Sequence, residues 1–401
     1  MPPAPAGFWT LDPALAFLNH GSFGACPRPV LEAQQRWRER MERQPVQFLS
    51  RDLEGLLDAA RAELAAFLGA APEDVAFVPN ATAGVNAVLR SLALSPGDEL
   101  LTTDHAYNAC RNALEFVAGR AGARVVVANV PFPLDGPDQV VATVLERVGP
   151  RTRLALLDHV TSPTGLVFPI ETLARELDRR GIETLVDGAH APGMLALDVP
   201  AVGAAYYTGN CHKWLCAPKG AGFLWVRRDR QPGVRPLAIS HGATAPRPDR
   251  SRFLLEFDWT GSSDPSPYLC VPEALRALGA LLPGGWPALR ARNHALALEA
   301  RRRLCGVLGV AAPCPEDMIG SLATVPLPDA ASGVGYGPLA NDPLADRLLQ
   351  RHAIEVPVFP WPAPPRRWLR ISAQLYNTSA DYERLASALT EELPGRSTAR
   401  R

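Results

Sequence analysis

The sequence predicts an α/β fold, a mostly parallel seven-stranded sheet covered by helices on both faces. Three observations lead there. Seven short apolar runs bounded by turn residues recur between residues 75 and 227, with little of the in/out alternation of a sheet that faces water. Runs of helical period lie between several of them, which is the order of an α/β chain. An aspartate and a lysine stand just past the ends of two of these runs, where ligand chemistry gathers in open α/β sheets.

The strand candidates are residues 75–79, 99–104, 124–130, 154–160, 183–188, 204–209 and 222–227. Helical periods cover 81–92, 106–122, 139–148 and 170–180. A Pro/Gly/Arg-rich stretch, 231–252, reads as a long loop. A helical run follows over 271–308, broken at Pro283-Gly284-Gly285. The last hundred or so residues read as a smaller α/β unit. It has loop-rich patches at 326–343 and 357–365, a helix over 380–393 and a frayed end at 397–401. The expected organisation is a large domain over residues 20–270 and a small C-terminal domain over 271–401, with residues 1–19 packed against the latter.

With 401 residues the chain is long enough for two or three domains and a large core. Its 41 basic and 41 acidic residues leave no surplus charge to draw in nucleic acid or anionic lipid, so a small-molecule enzyme is expected. The start has no basic n-region, and no apolar run is long enough to span a bilayer, which predicts a cytoplasmic protein. Seven scattered cysteines argue against a secreted disulfide framework. Cys211, His212 and Cys216 match no standard ligand spacing, so no metal is expected.

Only two of the 41 basic residues are lysines, Lys213 and Lys219. Arginine serves any surface salt bridge, but it cannot lose its proton and attack an aldehyde, as an ε-amine can. Lys213 follows an apolar run in Thr208-Gly209-Asn210-Cys211-His212-Lys213-Trp214, and Asp187 ends another in Val186-Asp187-Gly188-Ala189-His190. Pyridoxal phosphate needs this pair, a carboxylate for the ring nitrogen and an amine for the aldehyde. An aspartate at a strand end can also merely cap the next helix. A carboxylate buried there, however, is costly without a partner, and a protonated pyridine nitrogen supplies one.

Further candidates group around that pair. His190 is placed to contact the ring hydroxyl, with a core histidine as the alternative. His212 is placed to reach a phosphate, with a local backbone contact as the alternative. Pro79-Asn80-Ala81-Thr82-Ala83-Gly84 joins a strand to a helix N-terminus through small residues, which suits phosphate. Tyr107, with His105 as rival, offers a ring to stack on the pyridine. Arg370, inside the apolar run Leu369-Arg370-Ile371-Ser372, is either a snorkelling side chain or a clamp on a substrate carboxylate. Lys219, in a Pro/Gly turn, reads as structural or as a more distant charge.

Together these residues resemble the class V aminotransferase family of fold-type I pyridoxal-phosphate enzymes, and within it the isopenicillin N epimerase-like branch. The similarity runs from Leu18-Asn19-His20-Gly21-Ser22-Phe23-Gly24 to Arg370-Ile371-Ser372-Ala373-Gln374-Leu375-Tyr376-Asn377-Thr378, nearly the whole chain. The resemblance implies Lys213 as the Schiff-base lysine, Asp187 on the ring nitrogen and His190 on the ring hydroxyl. It implies Ala81, Thr82, Asn210 and His212 around the phosphate, and Arg370, with Asn19 and His20, on the substrate side. It also implies a homodimer whose Thr260-Gly261-Ser262 segment reaches the neighbouring subunit's phosphate.

Cysteine desulfurases of this class carry a catalytic cysteine shortly before the substrate arginine. Residues 353–370 contain none, which argues against that activity. The expected chemistry is proton removal at the α-carbon of an amino acid or small peptide. It would end in epimerisation, in β-elimination (a C–S lyase) or in transamination. A catalytically silent regulator is the non-enzyme alternative, and the presence of every expected catalytic position argues against it.

Overall fold

A computed structural model describes residue 5, residues 7–330 and residues 342–393. Part of the loop predicted over 326–343 and the frayed end predicted at 397–401 lie outside the described residues. A short strand near the start, β1 (Ala16–Phe17), is followed by seven that form one sheet. They are β2 (Val75–Val78), β3 (Glu99–Thr103), β4 (Arg124–Ala128), β5 (Thr152–Asp158), β6 (Glu183–Asp187), β7 (Tyr206–Asn210) and β8 (Gly222–Val226), in the order β2-β8-β7-β6-β5-β3-β4. Only β8 runs against its neighbours. β2, β3, β7 and β8 are buried along their whole length, which is why their sequences lack a polar face. β4 lies at an edge and is partly exposed.

The order sets β5, β6 and β7 side by side in mid-sheet. Asp158 is in register with Asp187, and Asp187 with Thr208. The carboxyl ends of three neighbouring strands therefore open on one crevice, on the inner side of the point where the chain turns back from β4 to β5. The helix Ala81–Ser91 points its first turn at the same crevice. It starts where Asn80 caps the N–H of Ala83 at 2.9 Å. It also lies hard against β7: a Cβ at Gly84 would stand 2.1 Å from Thr208 Oγ1, so no other residue fits there without displacement.

The helices Pro137–Glu146 and Ile170–Asp178 start at or near their predicted positions. Asn108–Ala121 begins two residues late, because the chain first makes a turn through Asp104–Tyr107, and it ends on Gly122 in the left-handed region. The predicted break at residues 283–285 separates Val271–Gly279 from Gly285–Leu308. Four helices of seven residues or more have no counterpart in the sequence reading: Arg28–Arg43, Leu53–Phe67, Pro343–His352 and Arg252–Asp258. The first buries only Val30, Ala33 and Gln34, too little for a clear apolar stripe. The last follows the predicted loop and is capped by Ser251.

In the C-terminal third, β9 (Leu322–Leu327), β10 (Ile354–Glu355), β11 (Val358–Pro360) and β12 (Arg367–Ser372) complete the strands. β11, β12 and β9 form an antiparallel sheet, whereas β10 pairs in parallel with β1. The N-terminal segment is thus stitched to the C-terminal third. One apolar core runs from beneath the large sheet through Leu322, Val325, Leu369 and Ile371. No helix among the described residues is long and apolar enough to cross a membrane.

Candidate active site

The crevice at the ends of β5–β7 holds a cavity of about 460 Å³. Lys213 reaches it from the turn after β7, and Asp187 from the end of β6. Burial, and then the charge of Arg370, lower the lysine's pKa to about 8. Its Nζ lies 3.2 Å from His190 Nε2. The other nitrogen of that ring, Nδ1, accepts a bond from Trp214 Nε1 at 3.4 Å. A buried imidazole held well below its ordinary pKa is neutral, so this contact leaves its proton on Nε2, facing the amine. His190 also lines the cavity.

Asp187 is 2% exposed. Its Oδ1 accepts the N–H of Ala189 at 3.0 Å, and its Oδ2 accepts the thiol of Cys110 at 3.1 Å. Beside it, and missed by the sequence reading, stands Asp158, 4% exposed and also lining the cavity. Burial and the neighbouring Asp187 raise its pKa well above the ordinary carboxyl value. The two carboxyls share the crevice, and the surroundings of Asp158 favour its protonated form. An acidic residue within the apolar run 154–160 was the available signal.

The helix N-terminus supplies the next wall. Asn80, Ala81 and Thr82 line the cavity, and Ala81 N–H donates to Asn210 Oδ1 at 2.8 Å. His212 lines it too, its Nδ1 held on Ala221 O at 3.0 Å and its pKa lowered to about 4 by burial. Lys219 closes this end, with Nζ on Gly24 O at 3.0 Å. The positive end of a helix, the N–H and hydroxyl of Thr82 and a lysine, with no carboxylate among them, form a donor set for an anion. Tyr107, 44% exposed, presents its ring to the cavity.

Other candidates fall elsewhere. His105 is fully buried, with Nδ1 2.6 Å from Thr164 Oγ1 and Nε2 3.0 Å from Val130 O, and its ring packs on Trp361. Of the two rivals, Tyr107 lines the cavity and His105 lies in the core beside it. His20 is likewise fully buried behind Lys213. Its Nε2 meets Lys213 O at 3.0 Å and its Nδ1 meets Tyr376 OH at 2.8 Å, so it supports the lysine's backbone and does not line the cavity. Asn19 faces Glu355, 3.0 Å away, and not the cavity. Thr260 and Gly261 line a separate apolar cavity of about 410 Å³ that shares Pro79 and Gly220 with the first, and Ser262 lines neither.

Arg370, on β12, is 6% exposed. Nη1 donates to the carbonyl of Ser162, and Nη2 donates to Ser22 Oγ at 3.1 Å. Ser22 and Ser162 both line the cavity. Among the described residues its Nε finds no acceptor and its charge no carboxylate. Burial lowers its pKa only to about 10, so it remains a cation at neutral pH. An orphaned donor of this kind costs about 1–3 kcal/mol, which a bound carboxylate would recover.

These groups fit the cofactor that the sequence resemblance implies: amine, carboxylate, flat ring and anion cradle meet in one cavity. The fit carries a pH dependence. Only a neutral amine attacks an aldehyde, so capture of pyridoxal phosphate by the apoprotein should speed up about tenfold per pH unit below about 8 and level off above it. Stopped-flow absorbance reads this directly. A rate still climbing at that slope between about pH 9 and 10 would indicate a lysine with its ordinary pKa.

The family model described as aminotransferase class-V matches residues 22–251. An isopenicillin N epimerase of Amycolatopsis lactamdurans is 40% identical over 396 residues, covering 95% of this chain and 96% of that protein. A probable chloroplastic L-cysteine desulfhydrase of Arabidopsis thaliana is 32% identical over 401 residues, covering 94% of this chain and 83% of that protein. Among solved structures, the cystine C–S lyase C-DES, in complex with cysteine persulfide, superposes with a TM-score of 0.76 at 22% identity, covering 94% of this chain and 97% of that one.

Proposed function

The chain belongs to the class V aminotransferase family, and from that premise we propose that it is a pyridoxal-phosphate enzyme acting at the α-carbon of an amino acid or small peptide, as an epimerase of the isopenicillin N type. The observation that carries the reading is the meeting of Lys213 and Asp187, from adjacent strand ends, in one cavity headed by a helix N-terminus. Lys213 would hold the cofactor's aldehyde and Asp187 its ring nitrogen. Ala81, Thr82, Asn210 and His212 would hold the phosphate, Tyr107 the ring face and His190 the ring hydroxyl. When bound, the cofactor supplies an electron sink that makes the Cα–H of an attached amino acid acidic.

The chain's own groups do the rest. Lys213 Nζ is the base that takes the Cα proton. Its pKa is held down partly by Arg370, so a carboxylate that settles on the guanidinium cancels that charge and makes the amine more basic as substrate arrives. His190 Nε2 stands 3.2 Å from the amine, beside it at the cavity wall. Burial of Asp187 and Asp158 limits the access of bulk water to this end of the cavity.

A C–S lyase is the second reading, favoured by the desulfhydrase relative. A persulfide-forming desulfurase is disfavoured, because all seven cysteines are buried and none lies in residues 353–370. Transamination is the third outcome. In deuterated water, isopenicillin N should exchange its Cα–H and yield the opposite epimer carrying deuterium. Release of pyruvate and ammonia from L-cysteine would assign the lyase instead, and alanine with an enzyme-bound persulfide would overturn both.

We read the protein further as a cytoplasmic homodimer, with a large domain over residues 20–270 and a small one over 271–401. The exposed Leu237 and Ile239 support the dimer, as does the apolar cavity that Leu237 shares with Thr260 and Gly261. In that assembly the Thr260-Gly261-Ser262 segment would reach the partner's phosphate.

A further inference from the structure

Four polar groups run in one line, and of the four only Ser22 lines the cavity. Arg370 Nη2 donates to Ser22 Oγ at 3.1 Å, Ser22 Oγ donates to Asn19 Oδ1 at 2.5 Å, and Asn19 Nδ2 donates to Glu355 Oε1 at 3.0 Å. The direction of the line is forced. A guanidinium can only donate, a carboxylate can only accept, and the serine has a single proton, which must therefore go to the asparagine. A cation stands at one end and an anion at the other, with each link polarised the same way.

The line is also rigidly mounted. Glu355 is fixed by the pairing of β10 with β1, where Leu18 N–H donates to Glu355 O at 2.9 Å. Gly21 N–H donates to Ser372 Oγ at 3.0 Å, and a Cβ on Gly21 would stand 2.7 Å from Leu322 Cδ2. The turn bearing Ser22 thus sits directly on the small antiparallel sheet that carries Arg370. Ser162, from the loop after β5, holds the other arm of the fork.

We propose that Ser22, oriented through Asn19 by Glu355, is a positioning residue that aims the Arg370 fork at the substrate α-carboxylate. The inference rests on the carboxylate reading of Arg370 given above. It moves Asn19 from substrate contact to the support of that contact. A serine at this place acts only through the arginine, so its effect should vanish when the arginine is gone.

A double-mutant cycle on the holoenzyme tests this. L-Alanine, L-cysteine and isopenicillin N share the α-carboxylate, and the one that most changes the cofactor's visible absorbance serves as the ligand for Kd. Arg370→Ala should weaken binding about ten- to a hundredfold. Ser22→Ala should weaken it about three- to tenfold, the loss of one hydrogen bond, with cofactor content, Tm and kcat little changed. The double variant should match Arg370→Ala alone. If Ser22→Ala binds normally while Arg370→Ala does not, the positioning role is wrong and the carboxylate reading stands. Additive losses would also reject it, since Ser22 would then act independently of the arginine. An unchanged Kd in Arg370→Ala, or a parent that responds to none of the three compounds, would remove the carboxylate reading and this inference with it.

Discussion

Lys213→Ala should lose at least about a thousandfold in Cα–H exchange, within the range for loss of a general base, and should no longer retain cofactor covalently. The variant should fold. The side chain's one hydrogen bond goes to His190, and the bond that anchors this turn, from His20, is made to the backbone oxygen and survives the change. Lys219 does not stand in, although it lines the same cavity, because its Nζ is engaged by Gly24 O. Borohydride trapping and peptide mapping of the parent should accordingly mark Lys213. A label on Lys219, or exchange persisting in the alanine variant, would reassign the base.

Asp187→Asn should cost at least about a hundredfold in kcat, roughly 2.7 kcal/mol of transition-state stabilisation, with little change in stability. The amide oxygen can keep the N–H of Ala189, so the strand end is not disturbed. What is lost is the charge that would hold a pyridine nitrogen protonated. Asp158 bounds the loss. Its pKa is raised by burial and then by the neighbouring Asp187, so replacing Asp187 by a neutral amide lowers it and favours ionisation of Asp158 as a substitute. Asp158→Asn combined with Asp187→Asn should therefore fall below Asp187→Asn alone. Near-native turnover in the double variant would show that the ring nitrogen is paired elsewhere.

Much of this cavity was legible in the chain. Lys213, Asp187, His190 and the Asn80–Thr82 turn lie at strand ends or a helix start, and an α/β order sends such residues to one edge of the sheet. What could not be read depends on register and on distant packing. Asp158 matters because β5 pairs with β6 so that it falls beside Asp187, and Cys110 because its helix turns the thiol onto that carboxylate. The choice between His105 and Tyr107 was decided by Thr164 and Val130, which hold the histidine inward. His20 and Asn19 sit in the right neighbourhood but one layer back, a distinction that spacing does not carry. The helix Arg28–Arg43 escaped because it buries only Val30, Ala33 and Gln34, whereas Leu53–Phe67 does carry a stripe at helical spacing, Leu53, Leu57, Ala60 and Leu64, that the sequence reading passed over.

The joining of β1 to β10 bears on when the two halves of the cleft come into being. The links described in the half around Lys213 close within the stretch from His20 to Ala221, apart from the outer contact of His20 with Tyr376. The half around Arg370 closes contacts 336 and 348 residues apart, from Asn19 to Glu355 and from Ser22 to Arg370. Loop closure over such spans is entropically costly and must await the last part of the chain. On the ribosome the first half can therefore form while the second has no partner to meet, and a nascent chain passes through a stage able to hold an anion but not yet able to choose a substrate.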